Sequence, residues 1–211
     1  MPERKRNGFD FLAPYYDKLT SLVFGGEIRR AQVHFLKSVP PCADVLVLGG
    51  GTGWIISEIL LRQPDCHIWF IDSSSAMIDR ARKMNPDTNH VTYICGTTDQ
   101  IPQRNFSAII LPFFLDLFST AHLSEVIGQI ALASNIETRW LITDFVNGGK
   151  WWQKSLLMIM YFFFRIICNI EAIVLPDWRE VLHEMAFIKI ETGLFYHGFI
   201  ESHHYRIAPG T

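Results

Sequence analysis

Residues 45–53 read VLVLGGGTG, an aliphatic run that ends abruptly in glycines. A main chain without side chains can adopt left-handed turns and lets a ligand approach it directly. A helix starting near Trp54 would offer unpaired N–H groups and a partial positive charge to an arriving anion. Asp72 ends a second aliphatic run 19 residues after Gly53, where a carboxylate can accept both hydroxyls of a ribose. Three ligands fit such a constellation. A triphosphate loop needs Lys followed by Ser or Thr after its last glycine, and Trp54-Ile55 stands there instead, which excludes it. A dinucleotide fingerprint, GxGxxG counted from Gly49, would need a glycine at Trp54. The pattern Gly49-x-Gly51-x-Gly53 favours a nucleoside that carries an amino acid and no pyrophosphate. The structural alternative makes Asp72 the cap of a helix through Met77.

Groups able to move a proton follow later in the chain. Asp116 and His122 come after a fourth apolar run, Asp144 ends a fifth, and His197 lies in a C-terminal turn; histidine has the most useful resting pKa. No metal is expected: none of the eight histidines shows HExxH spacing, and His203-His204 point to opposite faces of a strand. Trp151 to Leu175 carries Trp151, Trp152, Tyr161, Phe162, Phe163 and Phe164 among aliphatics. A helix apolar all round is buried in a core, or touches lipid or an apolar ligand. The core reading and a lid over a lipophilic small molecule both stand; in the second, Phe113, Phe114, Trp151 and Tyr161 line the substrate site. Arg165, Asn169 and Glu171 interrupt this stretch below the ~20 apolar residues a bilayer crossing needs. Transient contact with a membrane surface remains open to it.

The elements that must position these groups alternate from residue 27 to 145, the signature of a parallel sheet with crossover helices. Strands are expected at 44–48, 67–71, 91–95, 107–111 and 139–145. Helices are expected at 27–37, 54–61 and 74–83, along the face of Leu123, Val126, Ile127 and Ile130, and from a cap at Asp177 with Glu180 to Met185. Runs 187–196 and 199–207, separated by His197-Gly198, ask for a tight antiparallel hairpin. The expected fold is α/β and Rossmann-like: a seven-stranded, mostly parallel sheet with helices on both faces, a C-terminal antiparallel hairpin and an N-terminal helical cap. With 211 residues one domain is expected, comprising a cap over 1–40 and a lid-like insertion over 146–176. Lys plus Arg number 19 against 21 Asp plus Glu, so no nucleic-acid partner is implied. Four cysteines without a CxxC pair and no apolar segment of signal-peptide length suit a reduced, cytoplasmic protein.

Together these stretches resemble class I S-adenosylmethionine-dependent methyltransferases, in particular the ubiquinone/menaquinone biosynthesis enzymes. FDFLAPYYD at 9–17 is similar to that family's FDxxAPxYD, VLVLGGGTG to VLDLGCGTG, DSSSAM at 72–77 to DxSxxM, and VTYICGTTDQIP at 91–102 to VxFxxGDAxxLP. Val47 replaces the family's strand-one Asp, Gly50 its Cys, and Thr97 the Asp that meets the adenine amino group. The resemblance implies that Gly49, Gly51 and Gly53 line the amino-acid end of S-adenosyl-L-methionine and that Asp72 holds the ribose. It places Ser73 and Met77 beside the adenine and Thr97 and Thr98 at its edge, with Asp99 sharing the contact. Leu111 would lie beneath the sulfonium and Tyr16 would close over the site. The activity implied is methyl transfer to a small lipophilic or aromatic acceptor. A scaffold that binds the cofactor without catalysis is the alternative, and a nicotinamide oxidoreductase is disfavoured by Trp54 and the hairpin.

Overall fold

The computed structural model describes residues 23–86, 89–168 and 174–209. Tyr16, the first 22 residues of the expected cap, and residues 169–173 of the expected insertion lie outside the described residues. The elements are α1 (Glu27–Val33), β1 (Asp44–Leu48), α2 (Trp54–Arg62), β2 (His67–Asp72), α3 (Ser75–Met84), β3 (Val91–Cys95) and β4 (Ala108–Pro112). There follow α4 (Thr120–Ala131), β5 (Arg139–Phe145), α5 (Trp151–Cys168), α6 (Trp178–Glu184), β6 (Phe187–Phe195) and β7 (Ile200–Ile207).

Seven strands form one sheet in the order β3-β2-β1-β4-β5-β7-β6. The first five pair in parallel, and β7 runs antiparallel to both β5 and β6. This bears out the expected Rossmann-like sheet and hairpin. Strand β6 therefore points the same way as β5, so the turn at Tyr196–Gly198 lies on the carboxyl rim. The order reverses between β1 and β4, and the crevice above such a reversal is where ligands collect in open α/β sheets.

Side-chain alternation sorts the central strands into two cores. Leu46, Leu48, Ile109, Leu111, Trp140 and Ile142 pack with α4 and α6 on one face. Val45, Val47, Ile68, Phe70, Ala108 and Leu141 pack with α2 and α3 on the other. A third cluster sits at the carboxyl end, where Phe145, Phe199 and Ile200 meet Phe24 and Leu157, with Phe113, Trp152 and Tyr161 around them. Helix α1 is pinned to the sheet by Ser202 Oγ, which donates to the Ala31 carbonyl at 2.5 Å. The helix expected over 27–37 is shorter: α1 ends at Val33 and a single 3-10 turn covers Leu36–Ser38. Val39 must turn extended because it precedes Pro40, whose ring excludes helical angles there. Strand β4 begins one residue later than expected, at Ala108. Among the described residues no helix is long and apolar enough to cross a membrane.

Candidate functional site

The glycine turn is built as its composition requires. Gly49, Gly51 and Gly53 have φ of +69°, +60° and +80°, angles that only glycine adopts at little cost. Each glycine faces something different. A Cβ on Gly53 would lie 2.4 Å from the Ala81 Cβ, so its absence lets α3 close against the turn. A Cβ on Gly49 would lie 2.8 Å from the Phe114 ring, which puts the turn after β4 directly across the crevice. A Cβ on Gly51 would meet nothing within 4 Å, so this is where a ligand can reach the main chain.

Asp72 at the end of β2 ties this turn to the next one. Its Oδ2 accepts the Gly51 N–H at 3.1 Å and its Oδ1 the Ser74 N–H at 2.9 Å. The alternative in which Asp72 caps the following helix is corrected: Ser74 is the cap, accepting the Met77 N–H at 3.1 Å. Ser74 wins because a cap must sit one residue before the first helical residue, Ser75, and Asp72 is two residues too early. Each carboxylate oxygen can accept more than one hydrogen bond, so the geometry is compatible with ribose hydroxyls at Asp72. Ser73 is exposed beside it, whereas Met77 is buried.

The two departures in the first motif pack against one ring. A Cβ on Gly50 would lie 2.3 Å from Phe70 and 3.0 Å from the Val47 side chain. Phe70, paired in register with Val47, takes the volume that a side chain at position 50 would need. Thr97 is exposed and busy within its own turn, where its N–H donates to Gln100 Oε1 at 2.6 Å and its Oγ1 lies 3.4 Å from Asp99. Thr98 Oγ1 meets Gln129 Oε1 at 2.6 Å. Leu111 is fully enclosed in the core formed with α4 and α6, with no surface turned to the crevice.

Beyond β4 the turn carries Phe113, Phe114 and Asp116. Phe113 has φ +52°, an uncommon angle for a bulky residue, and its ring packs 4.7 Å from that of Phe145. Asp144 at the end of β5 is fully buried. Its Oδ2 accepts the N–H groups of Leu115 (2.9 Å) and Asp116 (3.2 Å), and its Oδ1 that of Phe145 (2.8 Å). Asp116 is 8% exposed, and its Oδ1 has no hydrogen-bond partner among the described residues. Tyr161 of α5 reaches over them and donates its hydroxyl to the Asp116 carbonyl at 3.1 Å. Burial pushes the Asp116 carboxyl up to about 7, with its own backbone N–H pulling the other way. Burial, then the neighbouring Asp116 charge, push Asp144 well above the usual carboxylate range despite its three N–H donors. Burial, reinforced by both carboxylates, also raises the Tyr161 phenol and keeps it protonated.

Of the four expected proton carriers, the fold thus brings Asp116 and Asp144 together. It leaves His122 exposed on α4 and His197 exposed in the hairpin turn. Trp151 is 80% exposed at the start of α5 and lines no described wall. Trp152, two-faced between Tyr196 (5.9 Å) and Phe199 (5.7 Å), was missed as a candidate; only the long-range pairing with the hairpin distinguishes it from its neighbour.

Residues 45–133 match the model of a methyltransferase-domain family. The matched stretch runs from β1 through α4 and takes in the glycine turn, Asp72 and Asp116. A polyamine aminopropyltransferase of Bacillus anthracis is 29% identical to it over 102 residues, 41% of this chain and 28% of that protein. The chain thus spans less than a third of that relative's length. Solved structures share the fold at 13–14% identity. The mitomycin 7-O-methyltransferase MmcR superposes with a TM-score of 0.68, over 95% of this chain and 60% of that one. DhpI in complex with SAH gives 0.71, over 95% and 94%. NcsB1, an O-methyltransferase from neocarzinostatin biosynthesis bound to S-adenosylmethionine and 2-hydroxy-5-methyl naphthoic acid, gives 0.69, over 94% and 58%. These likenesses agree with the expected Rossmann-like fold and, over residues 45–133, with the expected methyltransferase-type domain. The closer resemblance to quinone-biosynthesis enzymes is not singled out by these matches.

Proposed function

We propose that the protein transfers a methyl group from S-adenosylmethionine to a small lipophilic or aromatic acceptor. The observation that carries the reading is the open approach at Gly51 beside the Asp72 carboxylate, on the crevice that faces Phe114. Residues 1–211 act as one domain, with 1–40 as a cap and 146–176 as a lid. Gly49, Gly51 and Gly53 offer main-chain approach to the amino-acid end of the cofactor, and Asp72 accepts the ribose hydroxyls. Ser73, Met77, Thr97 and Thr98 border the adenine, and Leu111 supports the floor from within the core. When bound, the cofactor supplies an already activated methyl donor, so the chain's task is alignment and exclusion of water.

Phe113, Phe114 and Tyr161 form the acceptor wall; support for a lipophilic acceptor comes from the aromatic cluster that Phe113 and Tyr161 join and from the Phe114–Phe118 pair. The naphthoic acid bound by the structurally similar NcsB1 is of the same chemical class. Quinone precursors remain the acceptors that the sequence resemblance favours. Helix α5 also turns Trp151, Met158, Ile159 and Phe162 outward, with Lys154 on the same face and Lys150 just before it. An apolar stripe with Trp at one end and basic residues beside it suits the surface of an anionic membrane, where a lipophilic acceptor would be met. Free thiols at Cys42, Cys66 and Cys95 suit a reducing, cytoplasmic setting.

Calorimetry with S-adenosylmethionine, its demethylated product and NAD tests the cofactor assignment. Binding of the first two is expected; tight binding of NAD alone would reverse it, and no binding of any would favour a scaffold. Sedimentation with anionic vesicles tests the surface contact.

A further inference from the structure

We propose that Asp116 is a catalytic residue, the group that removes the proton from a hydroxyl-bearing acceptor, and that Asp144 is its positioning residue. This rests on the methyl-transfer reading above and narrows it to oxygen as the accepting atom. Three observations meet at one place. The Asp116 turn is fixed by the N–H groups of Leu115 and Asp116 on Asp144 Oδ2. Its residue 114 stands against Gly49 across the crevice. And the Asp116 carboxylate, 8% exposed, keeps Oδ1 without a hydrogen-bond partner among the described residues.

A buried polar atom without a partner is costly in a structure that satisfies nearly all others. An incoming hydroxyl would provide the missing donor. Two neighbouring buried carboxyls cannot both ionise readily, so above about pH 7 the pair holds one proton and one charge. Asp144, the more completely buried of the two, holds the resting proton, and Asp116 carries the charge. Tyr161 is the other titratable group facing the pair; no Lys, Arg or His among the described residues contributes to the shifts of either carboxyl. In the transfer, the acceptor oxygen forms its bond to the methyl carbon as the sulfur–carbon bond breaks and the sulfur takes that electron pair. The hydroxyl proton passes to Asp116, leaving both carboxyls neutral until solvent removes one proton. A carboxylate short of solvating donors is a stronger base than one in water, which suits it to a phenol.

The experiment uses the full chain with S-adenosylmethionine and a panel of lipophilic phenols, 1-naphthol and 4-alkylphenols, read from pH 5 to 9. Wild-type kcat/KM is expected to fall about tenfold per pH unit below a midpoint near 7. Asp116→Asn is expected to lose at least about 100-fold in kcat and to flatten the profile, with cofactor affinity kept within about twofold. Asp144→Asn, which weakens the hold on the Leu115 and Asp116 N–H groups, is expected to lower kcat while leaving the midpoint near 7, because burial and not a charge on Asp144 raises Asp116. A readout free of turnover is the infrared carbonyl band of a protonated carboxyl at pH 7, expected in the wild type and weakened by Asp144→Asn. Loss of cofactor binding in the wild type would sink the methyl-transfer reading itself. Cofactor binding with no phenol turned over, an unchanged profile in Asp116→Asn, or no carboxyl band at pH 7 would each overturn the base assignment alone.

Discussion

The carboxyl rim has two halves built on different principles. Above β1 and β2 the site is made of backbone: three left-handed glycines, and one carboxylate that accepts N–H groups from two successive turns. Above β4 and β5 it is made of side chains: two buried carboxyls, a tyrosine from α5 and a cluster of aromatic rings. The first half is rigid because its angles and contacts leave no room for substitution. The second depends on residues 28 positions or more apart meeting in one place, so it can change specificity without disturbing the sheet.

The contrast predicts how each half fails. The largest effect is expected from Gly53→Ala, whose Cβ would meet both the Cα and Cβ of Ala81 at a φ of +80°. A loss of about 2–4 kcal/mol in unfolding free energy is expected, measured by denaturant titration; a loss under 1 kcal/mol would mean the turn is softer than its geometry. Asp72→Ala comes next, with a cofactor affinity at least about 100-fold weaker by calorimetry. An unchanged affinity would show that its carboxylate serves only the two turns.

In the second half, Asp116→Asn tests the electrostatics through stability. A carboxyl whose folded pKa lies above its unfolded value makes the protein less stable as pH rises from about 4 to about 7, because the unfolded state releases the proton more readily. The wild type should therefore lose stability across that window. Asp116→Asn should remove part of the loss and melt higher than the wild type at pH 8 but not at pH 4. The smallest change in stability is expected from Trp151→Ala, within about 0.5 kcal/mol because the ring is 80% exposed, together with weaker retention on anionic vesicles. A large loss of stability would mean that the ring is covered and the surface reading wrong.

The first half was legible in the chain because its signals are local. Gly49, Gly51 and Gly53 follow β1 within five residues, Asp72 closes β2, and the mostly parallel sheet follows from the alternation of runs. Even the glycine at position 50 finds its reason one strand away, in the Phe70 ring. At the start of α3, Asp72, Ser73, Ser74 and Ser75 are all good caps by residue type, and only the observed bond from the Met77 N–H picks out Ser74. Trp151 and Trp152 are adjacent and chemically identical; one faces out and the other packs on the hairpin, and no periodicity within α5 separated them.

By itself the amino-acid sequence determined the strand and helix periodicity, the glycine turn and the carboxylate after β2, since each depends on neighbours within a few positions. Tertiary structure alone decided that Asp116 and Asp144, of four dispersed proton carriers, share one buried place. Burial and proximity, not residue type, set the proton affinity of a carboxyl, and both are properties of the assembled sheet.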